Sequence, residues 1–187
     1  MKDETSTNRA PRLQTGRLEL LPLSEADVDA LHRVSNEPPV RRYLWDDEPV
    51  TRAFIEEMVA RSTRTFSKNG VGLFGVRRRG MRDLLGICGF VRLGGMEEPE
   101  LGYELTQEAW GKGLATEASL ACLRYAFEEA GLERAIAGAD ALNVASLRVI
   151  QKLGMRPAGN INPEAPEVPY YAMNRDDFVR GASALRA

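Results

Sequence analysis

Residues Glu104–Leu120, ELTQEAWGKGLATEASL, contain the point at which the hydrophobic period of the chain changes. Upstream, Glu100–Leu105 (ELGYEL) suits a short strand, and downstream Thr116–Ala130 suits a helix. Between them lies Trp110-Gly111-Lys112-Gly113-Leu114-Ala115. Its two glycines let the backbone turn its amides toward one point at a helix start, where unpaired N–H groups and the helix dipole favour an anion. The occupant this implies is a ligand that carries phosphate.

Two common phosphate motifs are absent from the stretch. A P-loop needs Ser or Thr directly after its Lys, and a dinucleotide fingerprint needs a third glycine. Here Gly113 follows Lys112, Leu114 comes next, and Thr116 stands where the third glycine belongs. The loop instead resembles the pyrophosphate loop of the GNAT superfamily of acyl-CoA-dependent N-acyltransferases, patterned Gln/Arg-x-x-Gly-x-Gly/Ala. Gly113 and Ala115 fill its last two slots, and Trp110 departs from the first. With Thr116-Glu117-Ala118 after it, the loop is similar to that of the branch that acetylates the N-termini of ribosomal proteins, the RimJ/RimL-like enzymes. A second segment supports the resemblance. Asn143-Val144-Ala145-Ser146-Leu147-Arg148-Val149-Ile150-Gln151-Lys152-Leu153-Gly154-Met155 is similar to the family's N-x-x-S-x-x-x-x-x-K-x-G-F, with Met155 in place of Phe, about thirty residues beyond the loop.

Working outward, Arg17–Leu23 reads as a strand, Ser24 as the N-cap of a helix to about Ser35, and Asn36–Pro49 as a proline-containing loop. Thr51–Lys68 reads as a second helix. Three strands, Val71–Arg77, Leu84–Leu93 and Glu100–Leu105, are joined by Arg79-Gly80 and Gly94-Gly95 as an antiparallel meander. The middle strand, LLGICGFVRL, is apolar enough to be covered on both faces. Ala135–Gly138 reads as a strand, Asn143 caps the following helix, Pro157–Pro169 is a loop, and Tyr170–Met173 forms the last strand. This order is that of the GNAT fold, an α/β (α+β) architecture. The resemblance implies a mixed, mainly antiparallel sheet of six to seven strands flanked by about four helices. Residues 1–12 are expected to be disordered, 13–179 to form the domain and 180–187 a tail.

Composition sets limits. A chain of 187 residues, 43% hydrophobic, fits one domain, and a net charge of −2 provides no general basic field for nucleic acid. Arg77-Arg78-Arg79 reads as a solvated hairpin turn. Cys88 and Cys122 lie in apolar stretches without metal-ligand spacing to the single His32, so no metal is expected. The polar N-terminus and the lack of a long apolar run point to a soluble, cytoplasmic protein with no membrane partner, as a monomer or homodimer.

Acyl transfer from a thioester to an amine needs a base, an oxyanion donor and an acid. Neither cysteine has a histidine nearby in sequence to activate it, which favours direct transfer in a ternary complex. By resemblance, acetyl-CoA is the co-substrate. Backbone groups at Leu105 and Thr106 would hold its pantetheine arm and oxyanion, and the loop from Trp110 and Gly111 through Gly113, Leu114, Ala115 and Thr116 its pyrophosphate. Lys112 adds charge at the rim or is simply solvated. Asn143 would bind the pantetheine arm, and Ser146 would face the sulfur as acid or donor, or serve as a local backbone partner. Arg148 and Lys152 either reach the phosphates or lie on an exposed helix face. Glu100 and Glu104, four apart on one strand face, compete with Glu164 and Glu167 as base, or are surface carboxylates. Arg42, Tyr43 and Trp45 either contact the acceptor or pack the first two helices. The acidic run Glu97-Glu98-Pro99-Glu100 suits a cationic acceptor or a solvated hairpin tip. The reading is an acetyl-CoA-dependent N-acetyltransferase acting on a primary amine, of a protein N-terminus or a small molecule. The alternative is a non-catalytic acyl-CoA-binding module that serves a partner protein.

Overall fold

A computed structural model describes residues 11–92, 98–159, 161–163 and 165–184. The expected disordered segment therefore lies almost entirely outside the described residues, as do the Gly94-Gly95 turn, Glu97 and Glu164.

Eight strands form one sheet: β1 (Leu13–Gln14), β2 (Leu18–Pro22), β3 (Leu73–Arg78), β4 (Leu84–Val91), β5 (Glu100–Leu105), β6 (Arg134–Gly138), β7 (Arg156–Gly159) and β8 (Tyr170–Asn174). Their spatial order is β1-β2-β3-β4-β5-β6-β8-β7, antiparallel throughout except between β5 and β6. Six helices accompany them: α1 (Val28–Ser35), α2 (Pro38–Leu44), α3 (Arg52–Asn69), α4 (Leu114–Arg124), α5 (Val144–Lys152) and α6 (Arg175–Ala184). The fold class is as expected, but among the described residues the sheet has eight strands instead of six or seven, and there are six α-helices instead of about four.

Apart from α6, the additional elements are short or contain prolines. β1 is a two-residue edge strand, and β7 contains Pro157, which the sheet edge tolerates because no neighbour needs its missing N–H. α2 starts with Pro38 and Pro39 at its first helical positions, where a fixed φ helps and an absent N–H costs nothing. The same prolines make this stretch read as a loop in the sequence. α6 continues through Ala184, across the boundary at 179 set from the sequence.

Side-chain alternation divides the core. In β3 and β4, Phe74, Val76, Cys88 and Phe90 join Leu114, Cys122 and Phe127 from α4 and its π-helical continuation, Tyr125–Glu129. Leu73 and Ile87 point the other way and meet Leu31 of α1 with Ile55, Met58 and Val59 of α3. β4 is thus covered on both faces, as its apolar run implies. Capping follows the sequence: Ser24 N–H donates to Asp27 Oδ2 at 3.0 Å, Thr51 Oγ1 accepts from Phe54 N–H, and Asn143 Oδ1 accepts from Ser146 N–H. No described helix is long and apolar enough to cross a membrane.

Gly86 marks the tightest approach in the sheet. Its φ is +144°, and a Cβ there would lie 2.0 Å from the Glu104 carbonyl oxygen. Gly102, on the neighbouring strand, has open space where a Cβ would go. Gly86→Ala should therefore cost about 3 kcal/mol of unfolding free energy, since strain and backbone overpacking add. Gly102→Ala should cost far less. Chemical denaturation of both variants checks this, and equal losses would contradict the close approach.

Candidate active site

The site begins where β5 parts from β6. The two strands share the single register pair Glu100↔Ile136, and the rest of β5 runs on without a partner on that side. Thr106 N–H bonds to Leu85 C=O at 2.7 Å, so in an antiparallel ladder the even-numbered residues of β5 spend their backbone groups on β4. Tyr103 and Leu105 accordingly turn theirs toward the gap. One of these groups, the Leu105 carbonyl, already accepts from Trp110 Nε1 at 2.7 Å.

A cleft of about 350 Å³ occupies this gap. Its walls come from the end of β5 (Tyr103, Glu104, Leu105), the glycine loop and α4 (Trp110, Gly111, Gly113–Thr116), α5 (Asn143, Ser146, Arg148, Lys152) and α2 (Pro39, Val40, Tyr43, Leu44). The first helical hydrogen bond of α4 runs from Glu117 N–H to Gly113 C=O at 3.1 Å, which leaves the amides of Leu114, Ala115 and Thr116 without helical acceptors in the cleft wall. Gly113 caps that helix at φ +73°, a left-handed conformation that a side chain would strain. The loop is braced from behind. Arg17 donates through Nη1 to the Lys112 carbonyl at 2.8 Å and through Nε to Glu117 Oε2 at 2.6 Å.

Strand alternation gives the site its chemical polarity. Tyr103 is the register partner of Cys88 and Glu104 that of Ile87, so the two side chains leave opposite faces of the sheet. On the face of α1, Glu104 is buried at 4% exposure, and its Oε1 accepts from Ser35 Oγ at 2.6 Å. Burial pushes its pKa up to about 7, against hydrogen bonding from Ser35 and the nearby Trp45 indole, and the charge of Glu37 adds to the rise. The indole stops short of proper hydrogen-bond geometry, so among the described residues Trp45 Nε1 and Glu104 Oε2 both stay buried without a partner. On the other face, the Tyr103 hydroxyl lies 2.7 Å from Ser146 Oγ. A carboxyl able to gain and lose a proton near neutrality and a pair of hydroxyls therefore face one gap from opposite sides.

Several residues singled out in the sequence fall elsewhere. Glu100 shares a strand face with Glu104, but four residues separate them by about 13 Å along the strand. It sits at the closed end of the gap, outside the cleft walls, with Oε1 accepting from Gly138 N–H at 3.2 Å and its pKa raised by burial in spite of that bond. Thr106 is also outside the walls. Its hydroxyl donates to Glu37 Oε1 at 2.5 Å, while Gln107 N–H takes Oε2 at 2.8 Å, which clips the α1–α2 junction to the end of β5. Lys112 Nζ donates to the Glu108 carbonyl at 2.8 Å and does not line the cleft. Glu167 is exposed and outside it too.

Of the three residues expected either to contact the acceptor or to pack the helices, Tyr43 lines the cleft. Arg42 stacks its guanidinium 5.5 Å from the Tyr43 ring in an adjoining hollow, and Trp45 packs edge-on against Phe54 at 5.2 Å, behind Glu104. Three residues that contact the site are not marked by the sequence: Tyr103, Ser35 and Arg17. Tyr103 had one available signal, since alternation in ELGYEL separates it from Glu104 by a face.

Comparisons with known proteins agree with this geometry. The family model described as Acetyltransferase (GNAT) domain matches residues 17–156. YoaA of Bacillus subtilis (strain 168), described as an uncharacterized N-acetyltransferase, is 30% identical over 152 residues, covering 80% of this chain and 85% of YoaA. The acetyltransferase from Agrobacterium tumefaciens str. C58 superposes with a TM-score of 0.78 at 24% identity, covering 88% of this chain and 94% of that one. RimL, a ribosomal L7/L12 alpha-N-protein acetyltransferase solved in complex with coenzyme A, superposes at 0.73 with 16% identity, over 89% and 99% of the two chains. At these identities both structures speak to the fold alone. The matched residues run from β2 to the start of β7 and so contain the parted strands, the glycine loop and the Asn143–Ser146 helix start, and the chain belongs to the GNAT family of N-acetyltransferases.

Proposed function

We propose that this N-acetyltransferase transfers an acetyl group from acetyl-CoA directly to a primary amine within a ternary complex, and that Glu104 is the base. The observation that carries the reading is the pairing of an elevated-pKa carboxyl with open helix-start amides in a single cleft. The unpaired N–H groups of Leu114–Thr116 would take the pyrophosphate, with Arg148 and Lys152 on the same wall. The outward backbone groups of Tyr103 and Leu105 would run along the pantetheine arm, and Ser146 would face the sulfur. The amine would enter from α2, past Tyr43 and Leu44, to reach Glu104. RimL, which shares the fold, binds coenzyme A. We place the acceptor among amines of the kind that the ribosomal-protein N-terminal branch modifies, either a protein N-terminus or a small-molecule amine. Glu104 weighs against a non-catalytic binding module, because burying a carboxyl raises its pKa at a cost in stability that binding alone does not require.

Binding separates this reading from a nucleotide enzyme. CoA at a hundredfold excess over its Kd should add about 2.7 kcal/mol to apparent stability, and ATP or NAD should add far less. Gly113→Glu should abolish the gain, since it puts a side chain and a negative charge where backbone meets pyrophosphate. A melting shift with ATP but none with acetyl-CoA would remove the central claim.

Thiol release with a panel of peptide N-termini, polyamines, aminoglycosides and amino-acid derivatives identifies an acceptor and opens the pH test. A base must be deprotonated, so kcat/KM should rise through pH about 7. Glu104→Gln should lower it about a hundredfold or more and erase that limb. Ser35→Ala removes a hydrogen bond that favours the charged carboxyl, so the limb should move to higher pH. A limb that persists in Glu104→Gln assigns the base to another group.

A further inference from the structure

The leaving-group side of the cleft holds a second hydroxyl. The Tyr103 phenol oxygen lies 2.7 Å from Ser146 Oγ and 3.1 Å from the Ser146 carbonyl oxygen. A phenol has one hydrogen and a carbonyl can only accept, so two hydrogen arrangements satisfy these distances. In the first, the phenol donates to the carbonyl and the serine hydroxyl donates to the phenol, which commits the serine hydrogen to that bond. In the second, the phenol donates to Oγ and the serine hydrogen is free for another acceptor. Exchange between them needs only rotation about two C–O bonds. The heavy atoms are held in place: Tyr103 is rooted in β5 and packs against the main core, and Asn143 Oδ1 holds Ser146 N–H at 3.0 Å. The phenol always has its hydrogen to give near neutrality, because burial pushes its pKa up to about 12, against the hydrogen bond with Ser146 and aided by Cys88.

We propose, resting on the placement of Ser146 at the departing sulfur, that Tyr103 is a positioning residue whose phenol donates to Ser146 Oγ as the thioester breaks and so releases the serine hydrogen to the thiolate. The lone pair of the neutral amine nitrogen forms the new C–N bond at the acetyl carbon, the C–S bond breaks with its electron pair on sulfur, and the serine O–H hydrogen-bonds that pair. The proton lost by the amine nitrogen passes to the Glu104 carboxylate. Neither hydroxyl gives up its proton for good, since a phenol near pKa 12 is a far weaker acid than a thiol of about 8.5. Tyr103 and Glu104, adjacent in sequence, thus serve the two ends of one reaction from opposite faces of β5.

The test uses CoA itself and needs no acceptor. The thiol of bound CoA is titrated by the ultraviolet absorbance of its thiolate, with the desulfo-CoA complex as the blank to remove Cys88 and Cys122. Ser146→Ala and Tyr103→Phe should each raise the bound thiol's pKa by about one unit, a tenfold change in the ionisation constant. The double variant should match Ser146→Ala alone. Replacing Tyr103 with 3-fluorotyrosine keeps the packing and strengthens the donor, so it should lower the thiol pKa below that of the wild type. A wild-type thiol pKa in Tyr103→Phe or in the fluorinated protein overturns the proposal. Additive shifts in the double variant do so as well, because they make Tyr103 an independent contact. Failure of the wild type to bind CoA would be a separate result, removing the acetyl-CoA reading and this proposal with it.

Discussion

The site depends on one unpaired stretch of backbone. β5 and β6 are parallel neighbours that share the pair Glu100↔Ile136 and then separate. Backbone amides and carbonyls are costly to bury unpaired, so a sheet parts in its interior only where another molecule or solvent satisfies them. Here the parting faces outward into a cleft, and the groups of Tyr103 and Leu105 on its edge are the ones the ladder with β4 leaves over. Everything nearby maintains the opening. Glu37 ties the α1–α2 junction to Thr106 and Gln107 at one lip, and Arg17 ties β2 to the glycine loop and Glu117 at the other.

The same strand separates the two halves of the proposed chemistry by its pleat. Successive residues point to opposite faces, so Glu104 meets Ser35 of α1 and Tyr103 meets Ser146 of α5 without either pair crowding the other. An acceptor approaching from α2 and a thioester lying along α5 would meet edge-on through the gap. Direct transfer requires that geometry, because the base must reach the amine while the sulfur departs on the far side.

Glu104 shows the tension between stability and function. Its folded pKa lies above the ordinary carboxyl value, so the folded state holds the proton more tightly. Its contribution is least unfavourable below the unfolded pKa and worsens as pH rises toward about 7. Ser35 and Trp45 moderate the rise but do not cancel it, and among the described residues Oε2 has no partner. The buried ion pair of Asp27 with Arg77, on the same side of the sheet, is mutually compensated and structural in character. Among the described residues no cation compensates Glu104, and the same holds for the buried Glu100, so it is the place of Glu104 in the cleft wall that singles it out as the proposed base.

Sequence alone determined the order of the principal elements, the glycine loop, the Asn143 cap and the burial of β4 on both faces, because each rests on local chemistry or on short-range periodicity. It also brought Glu104, Ser146 and the loop amides into the reckoning. It could not rank Glu100 against Glu104, since both obey the same alternation and only the point where β6 departs decides which of them borders the gap. α2 and β7 were hidden for a different reason: proline at a helix start or on an edge strand is stable only because of what lies beside it, and in sequence it reads as a break. Tyr103 with Ser146, Ser35 with Glu104, and Arg17 with Glu117 lie 43, 69 and 100 residues apart. No local propensity encodes such pairs. Tertiary packing alone created them, because a hydroxyl or carboxylate has no preference for a distant partner until the sheet brings the two within reach and, for the buried Ser35–Glu104 pair, removes the water that would otherwise satisfy them.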